Sequence, residues 1–239
     1  MPHPTITNNY SNFSTQSTSY SQSDQPSTNL SHLKLYTMTW SHTPRLAIIC
    51  WTVFAFPFTI WDTAYIFLRP HTLPGHKWHA PIFTPYSDYA AVDRIYGEQA
   101  WLEKDGLTAA QGIVNMTEAM LYIVYFWIVM TRGVKSAATG GKRVVSGRAG
   151  GLAVTLGLVA GSVTATKTVL YFLTECFSGF KHVGHADWIP LLSTWGFMNL
   201  LYGSISSYMV LSFGLDIVSG LSYAGESAAT AGKRGGKLE

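Results

Sequence analysis

Residues 109–131 read AAQGIVNMTEAMLYIVYFWIVMT, with one formal charge, Glu118, in an otherwise mostly apolar run. About 20 mostly apolar residues in helical form cross a hydrocarbon core roughly 30 Å thick, so this stretch is long enough to span a bilayer. Its polar residues are not scattered. Gln111, Asn115, Glu118 and Tyr122 recur at i, i+4, i+7 and i+11, which at about 100° per residue places them in a stripe roughly 60° wide. A helix of a soluble bundle would carry a broad polar face opposite its apolar one. This segment carries one narrow polar-aromatic stripe and apolar sides, the pattern of a membrane span that contributes one face to an interior.

Three further segments read the same way, at about 46–68, 151–174 and 189–214. The expected fold is therefore all-α, a polytopic membrane four-helix bundle. Residues 1–42 form a polar, disordered N-terminal tail, 43–217 the four-span domain, and 218–239 a disordered C-terminal tail. Composition agrees. Only 12% of the 239 residues are charged while 47% are hydrophobic and 14% aromatic, too few charges to clothe a soluble domain. The mean hydropathy of +0.15 is modest because the polarity is concentrated in the tails and connections. The net charge of +3 comes from scattered Lys and Arg, with no basic stripe to neutralise phosphates, so nucleic-acid binding is not expected. Cys50 and Cys176 lie beside apolar runs and read as membrane-level thiols, and the histidines show no metal-ligand spacing. The N-terminal stretch lacks a charged and then apolar leader, so the first span is expected to act as the targeting element.

Charges in the connections suggest an orientation. Arg132, Lys135, Lys142, Arg143 and Arg148 follow the second span without an acid, and Lys233, Arg234 and Lys237 follow the fourth. Residues 69–108 mix four basic with five acidic side chains. The positive-inside rule then puts both termini and the second connection in the cytosol and the other two connections in a lumen. Sequons at Asn9, Asn12 and Asn29 are expected to stay unglycosylated. The Gly-rich stretch 133–151 lacks a phosphate-loop pattern and reads as a flexible basic connector, while Gly157 and Gly161 form a small-xxx-small pair for close helix approach.

Ionisable groups at membrane depth are costly and rare. Here Asp62, Glu118 and Lys167 occupy the first three spans, and the polar stripes of the others match that of the second: Thr164, Lys167, Thr168, Tyr171 and Glu175 in the third, Trp195, Asn199, Tyr202 and Ser206 in the fourth. Counting about 1.5 Å of rise per residue puts Asp62, Glu118, Lys167 and Asn199 roughly 9–14 Å from one membrane face, a common level. Two arrangements satisfy that pattern. In one, Lys167 neutralises a carboxylate and the amides join helices. In the other, the groups line a pocket in which one carboxyl, kept protonated by burial, delivers a proton to an alkene and a second group removes one elsewhere. Aromatic faces such as Trp61, Tyr65, Trp195 and Tyr202 would steady the cation, and no cofactor is required.

Several runs resemble the EXPERA-domain family, which includes emopamil-binding protein, the sterol Δ8–Δ7 isomerase, and the sigma-two receptor. Val169-Leu170-Tyr171-Phe172-Leu173-Thr174-Glu175, then Gly179-Phe180, then Phe197-Met198-Asn199 is similar to the isomerase's VLYFLTE, GF and FMN sequence. Asp88 through Tyr96 resembles its EYAKGDSRY, Met116-Thr117-Glu118 its MET, and Asp62 its first-span glutamate. The matches cover about residues 45–217 in order. The resemblance implies a four-helix bundle of the endoplasmic reticulum with a lipophilic pocket open to the bilayer, Asp62 and Glu118 as acid–base carboxylates, and Asn199 as a pocket amide. The chain departs from the isomerase at Phe58, where the family member has a histidine, at Tyr202, where it has tryptophan, and at Lys167, where it has glycine.

The expected activity is thus a cofactor-independent isomerase or cyclase acting on a sterol, terpenoid or polyene. The alternative is a sterol-binding or trafficking module without catalysis. The expected catalytic set is Asp62, Glu118 and Lys167. The expected substrate-binding set is Trp61, Tyr65, Asn115, Tyr122, Tyr171, Trp195, Asn199 and Tyr202, with Tyr89, Asp93 and Tyr96 in a capping loop. The partners are a lipophilic small molecule and the bilayer, with a homodimer left open.

Overall fold

A computed structural model describes residues 40–235, with side chains to residue 231. The polar tail at 1–39 with its sequons, and Lys237, lie outside the described residues. In chain order the helices are α1 (Leu46–Phe67), the short α2 (Pro85–Val92) and α3 (Glu98–Leu102), α4 (Leu107–Arg132), α5 (Gly147–Phe177), the single turn α6 (Trp188–Pro190) and α7 (Phe197–Gly235). A π-helical segment, Leu191–Gly196, joins α6 to α7, making one continuous rod. The fold is all-α, with four helices long and apolar enough to cross a membrane: α1, α4, α5 and the rod ending in α7.

Two expectations need correction. Residues 133–151 are not simply a flexible connector: β2 (Val134–Lys135) and β3 (Arg143–Ser146) pair antiparallel, and β3 also pairs with β1 (Ser41–His42), giving the order β1-β3-β2. The β-branched Val144 and Val145 are buried, which supplies the reason this Gly-rich stretch orders. Residues 41 and 42 therefore belong to the folded domain rather than to the tail. At the other end, α7 runs on to Gly235 where the sequence reading ends the domain at 217; residues 218–235 contain no proline, alanine and other helix formers among them let the helix propagate, and Gly220 packs against the Trp40 ring.

The long helices pack in the sequence α1–α4–α5–α7, while α1 and α7 touch only over a short stretch. The α5–α7 seam is the tightest and rests on the expected glycine pair. A Cβ on Gly157 would stand 2.4 Å from the Phe213 ring, and one on Gly161 2.9 Å from Met209 Cβ. That face of α5 is thus used within the chain.

A polar clip closes the strand end of the bundle. The buried His42 bonds Asp216 through Nδ1 at 2.8 Å and Tyr125 through Nε2 at 3.2 Å, and Arg45 donates twice to the same Asp216 carboxylate. Burial pushes the His42 imidazole down from its ordinary value, so at neutral pH Nδ1–H donates to Asp216 and Nε2 accepts from the Tyr125 hydroxyl. Cys50 and Cys176 are free thiols.

Candidate functional site

At the opposite end, where α2 and α3 cover the bundle, the helices part around a cavity of 340 Å³. Its position follows from local structure. Pro57 deprives α1 of one internal hydrogen bond just before the turn that presents Phe58, Thr59 and Asp62. The π-helical turn widens the rod on the facing side and brings Ser193 and Thr194 to the wall. Phe58 and Phe197 line the cavity and are exposed where α1 and α7 separate, leaving an apolar side opening.

The polar floor is a relay across three helices. Asp62 Oδ1 accepts from the Tyr86 hydroxyl at 2.8 Å and Oδ2 from Asn115 Nδ2 at 3.0 Å. Asn115 Oδ1 in turn accepts from Lys167 Nζ, and that ammonium lies 2.5 Å from Glu118 Oε2. Three of the four residues placed on a shared level by counting, Asp62, Glu118 and Lys167, are thus joined through Asn115, while Asn199 stands outside the relay and donates to the Trp195 carbonyl. Lys167 does not reach Asp62 itself; the Asn115 amide stands between them, so the two carboxylates differ in kind. Asp62 faces the cavity with neutral donors on both oxygens. Glu118 is fully buried behind Lys167, with that cation as its partner.

The other candidates sort by the same test. Trp61, Asn115, Tyr171, Asn199, Tyr202, Tyr89 and Tyr96 line the cavity together with Asp62 and Lys167. Five expected site residues do not line it. Glu118 stands behind Lys167. Tyr122 is buried one turn away, its hydroxyl joined to Thr164 at 3.0 Å and receiving Trp51 Nε1 at 3.2 Å. Tyr65 is sealed under the lid, stacked on Tyr86 with centroids 3.8 Å apart, and donates to the Tyr96 carbonyl. Trp195 packs behind Tyr171 and Phe172. Asp93 is fully buried, capping the short turn Arg94–Tyr96 and accepting from the Tyr171 hydroxyl. These five share a helical or loop stripe with lining residues, and a stripe roughly 60° wide also includes the layer behind the wall.

Tyr86 and Gln111 were absent from the expected site set, though both line the cavity. A signal for Tyr86 exists: Pro85 is the first residue of α2, and a helix started there places Tyr86 and Tyr89 on one face at i and i+3. Burial raises the Tyr86, Tyr89 and Tyr96 phenols above their ordinary range, Tyr86 further because the Asp62 carboxylate accepts its proton. All three are hydrogen-bond donors rather than bases at neutral pH.

The lid formed by α2, α3 and their flanking turns has further fastenings away from the cavity wall. Glu175, fully buried at the end of α5, accepts from His182 Nδ1 at 2.6 Å and from the His182 backbone amide at 3.1 Å, and the His182 carbonyl accepts from Arg94 N. Arg69 reaches the Ile95 carbonyl and the Thr108 hydroxyl. Burial pushes the Asp93 carboxyl up to about 6, against the opposing pull of the Tyr171 hydroxyl and the Ile95 amide. Among the described residues no group of His, Cys, Asp and Glu forms a metal-binding cluster. No family model, curated protein or solved structure matches this chain.

Proposed function

We propose that this chain is a cofactor-independent intramembrane isomerase or cyclase of EXPERA type, moving a double bond or closing a ring in a lipophilic sterol, terpenoid or polyene. The observation that carries this reading is Asp62: a carboxyl at membrane depth, facing an aromatic-walled cavity and flanked by the Tyr86 hydroxyl and the Asn115 amide. A carboxyl so placed delivers a proton to a bound alkene and, as carboxylate, removes one from a neighbouring carbon, so that protons balance with no external reagent. Trp61 and Tyr202 line the cavity, where aromatic rings can steady a developing cation. Lys167, with Glu118 behind it, fixes Asn115 and through it Asp62, which makes Glu118 a positioning residue.

The test is incubation of microsomes containing the full chain with sterol and polyene substrates in heavy water. Deuterium at one carbon together with a shifted alkene is the expected result. Asp62→Asn and Glu118→Gln are each expected to lower the rate at least about tenfold with folded protein retained. Full activity in both variants would overturn the acid–base assignment. A second reading, a sterol-binding or trafficking module, is favoured by the saturation of both Asp62 oxygens, which suits a fixed anchor as well as an acid. A tight sterol ligand recovered without turnover would establish it.

The charge pattern of the connections supports both termini being cytosolic, and the resemblance to the EXPERA family implies the endoplasmic-reticulum membrane. In that orientation Asn9, Asn12 and Asn29 stay unglycosylated in microsomes, and a mobility shift on glycosidase treatment would reverse it.

A further inference from the structure

Two nitrogen donors at the cavity wall, on Lys167 and Gln111, have capacity that the hydrogen bonds at the wall do not use. An ammonium has three donors. Lys167 gives one to Asn115 Oδ1 and is ion-paired with Glu118 Oε2, and its side chain keeps 14% of its surface open at the cavity wall. Gln111 lies one helical turn from Asn115 on the same face of α4, lines the same cavity, and has a buried amide nitrogen with no partner. Asn199 already gives a donor to the Trp195 carbonyl. The facing acceptor, Asp62, is taken by Tyr86 and Asn115 on both oxygens. A buried donor without an acceptor costs free energy that a bound acceptor returns.

We infer that the ligand of this cavity is a polycyclic or polyprenyl lipid bearing a carbonyl oxygen, seated on the free N–H of Lys167 and the amide of Gln111. The inference rests on the cavity being the ligand site of the proposed function and adds the polar group that orients the ligand. Charge supports a neutral carbonyl over a carboxylate, because the Lys167 cation is already balanced by Glu118 at 2.5 Å. The aromatic walls fit an apolar skeleton, and the exposed Phe58 and Phe197 at the gap between α1 and α7 fit its entry from lipid. With its carbonyl on Lys167, the skeleton lies one amide group away from Asp62, because Asn115 bonds both.

Binding is measured by quenching of tryptophan emission in the detergent-solubilised full chain, using three probes: a steroid 3-ketone, the matching 3-alcohol and the parent hydrocarbon. The ketone is expected to bind at least about tenfold more tightly than the hydrocarbon. Gln111→Leu, which leaves the buried ion pair intact, is expected to remove most of that preference while hydrocarbon binding persists. Lys167→Met combined with Glu118→Gln, which avoids stranding a buried charge, is expected to remove the rest. Equal affinity of ketone and hydrocarbon in the unmodified chain, or a preference unaffected in both variants, overturns the inference. An ester phospholipid that displaces the ketone only when Lys167 is present would assign the carbonyl to bilayer lipid and likewise overturn it. Deuterium exchange in the same samples reports separately on the acid–base reading, since a chain that prefers ketones yet exchanges no proton sustains this inference and sinks that one.

Discussion

At the scale of single residues the site turns on which carboxyl meets the ligand. Asp62 and Glu118 are equivalent in the sequence: each is an acid within a span, at a comparable depth and on a polar stripe. What separates them is the rotation of α1 and α4 about their axes, a packing property, and it leaves Asp62 at the cavity and Glu118 under Lys167. Asn115 and Lys167 were legible because helical projection places them on the stripe, whereas Tyr86 lies on the eight-residue α2, outside the spans, where only Pro85 at the helix start signals it. The Tyr86 hydroxyl reaches Asp62 from the lid. Tyr86→Phe keeps the stacked ring and removes only that donor. The expected outcome is a fall in kcat of about tenfold with KM little changed, since hydrogen bonds to a charged group are worth roughly 1.5–3 kcal/mol. An unchanged kcat would reduce Tyr86 to a wall residue.

At the scale of elements, the helices were readable and their joints were not. Length and hydropathy delimit the first three spans and the start of the fourth to within a few residues, because the bilayer imposes a minimum run that few other contexts tolerate, whereas the fourth helix runs on well past the expected end at 214. The three-stranded patch was hidden because its strands are two to four residues long and one partner, Ser41–His42, comes from about 100 residues upstream of the hairpin. The Gly157–Gly161 pair was legible as a place of close approach, and α7 is what approaches. Gly157→Val drives a side chain into the Phe213 ring and is expected to cost about 1–3 kcal/mol, seen as a lowered Tm in detergent. The double variant with Phe213→Ala makes room and is expected to recover part of the loss. A Tm unmoved by Gly157→Val alone would mean that the seam yields elsewhere.

At the scale of the whole molecule, two buried titratable groups at opposite ends give the fold opposing responses to pH. His42, pushed below its ordinary value of 6.5 by burial, binds protons less readily in the folded chain than in the unfolded one, so its contribution is lost as pH falls below 6.5. Asp93 does the reverse. Its carboxyl titrates at about 6 when folded against 3.8 when free, so between those values the folded chain holds the extra proton and stability declines as pH rises. The decline spans roughly 3 kcal/mol at about 1.4 kcal/mol per pH unit, and it is complete once pH passes the folded value. Because Asp93 ties the lid to Tyr171 on α5, this loss loosens the cover of the cavity while the clip at the strand end is gaining strength. The two are separated by comparing Tm of the unmodified chain with Asp93→Asn, whose amide oxygen still accepts from the Tyr171 hydroxyl. The variant is expected to gain on the unmodified chain steadily from pH 4 to pH 6 and to hold a constant advantage above that. Parallel pH profiles for the two chains would show that the Asp93 carboxyl is ionised in the fold from the outset and that the lid is held by its other fastenings, Glu175–His182 and Arg69.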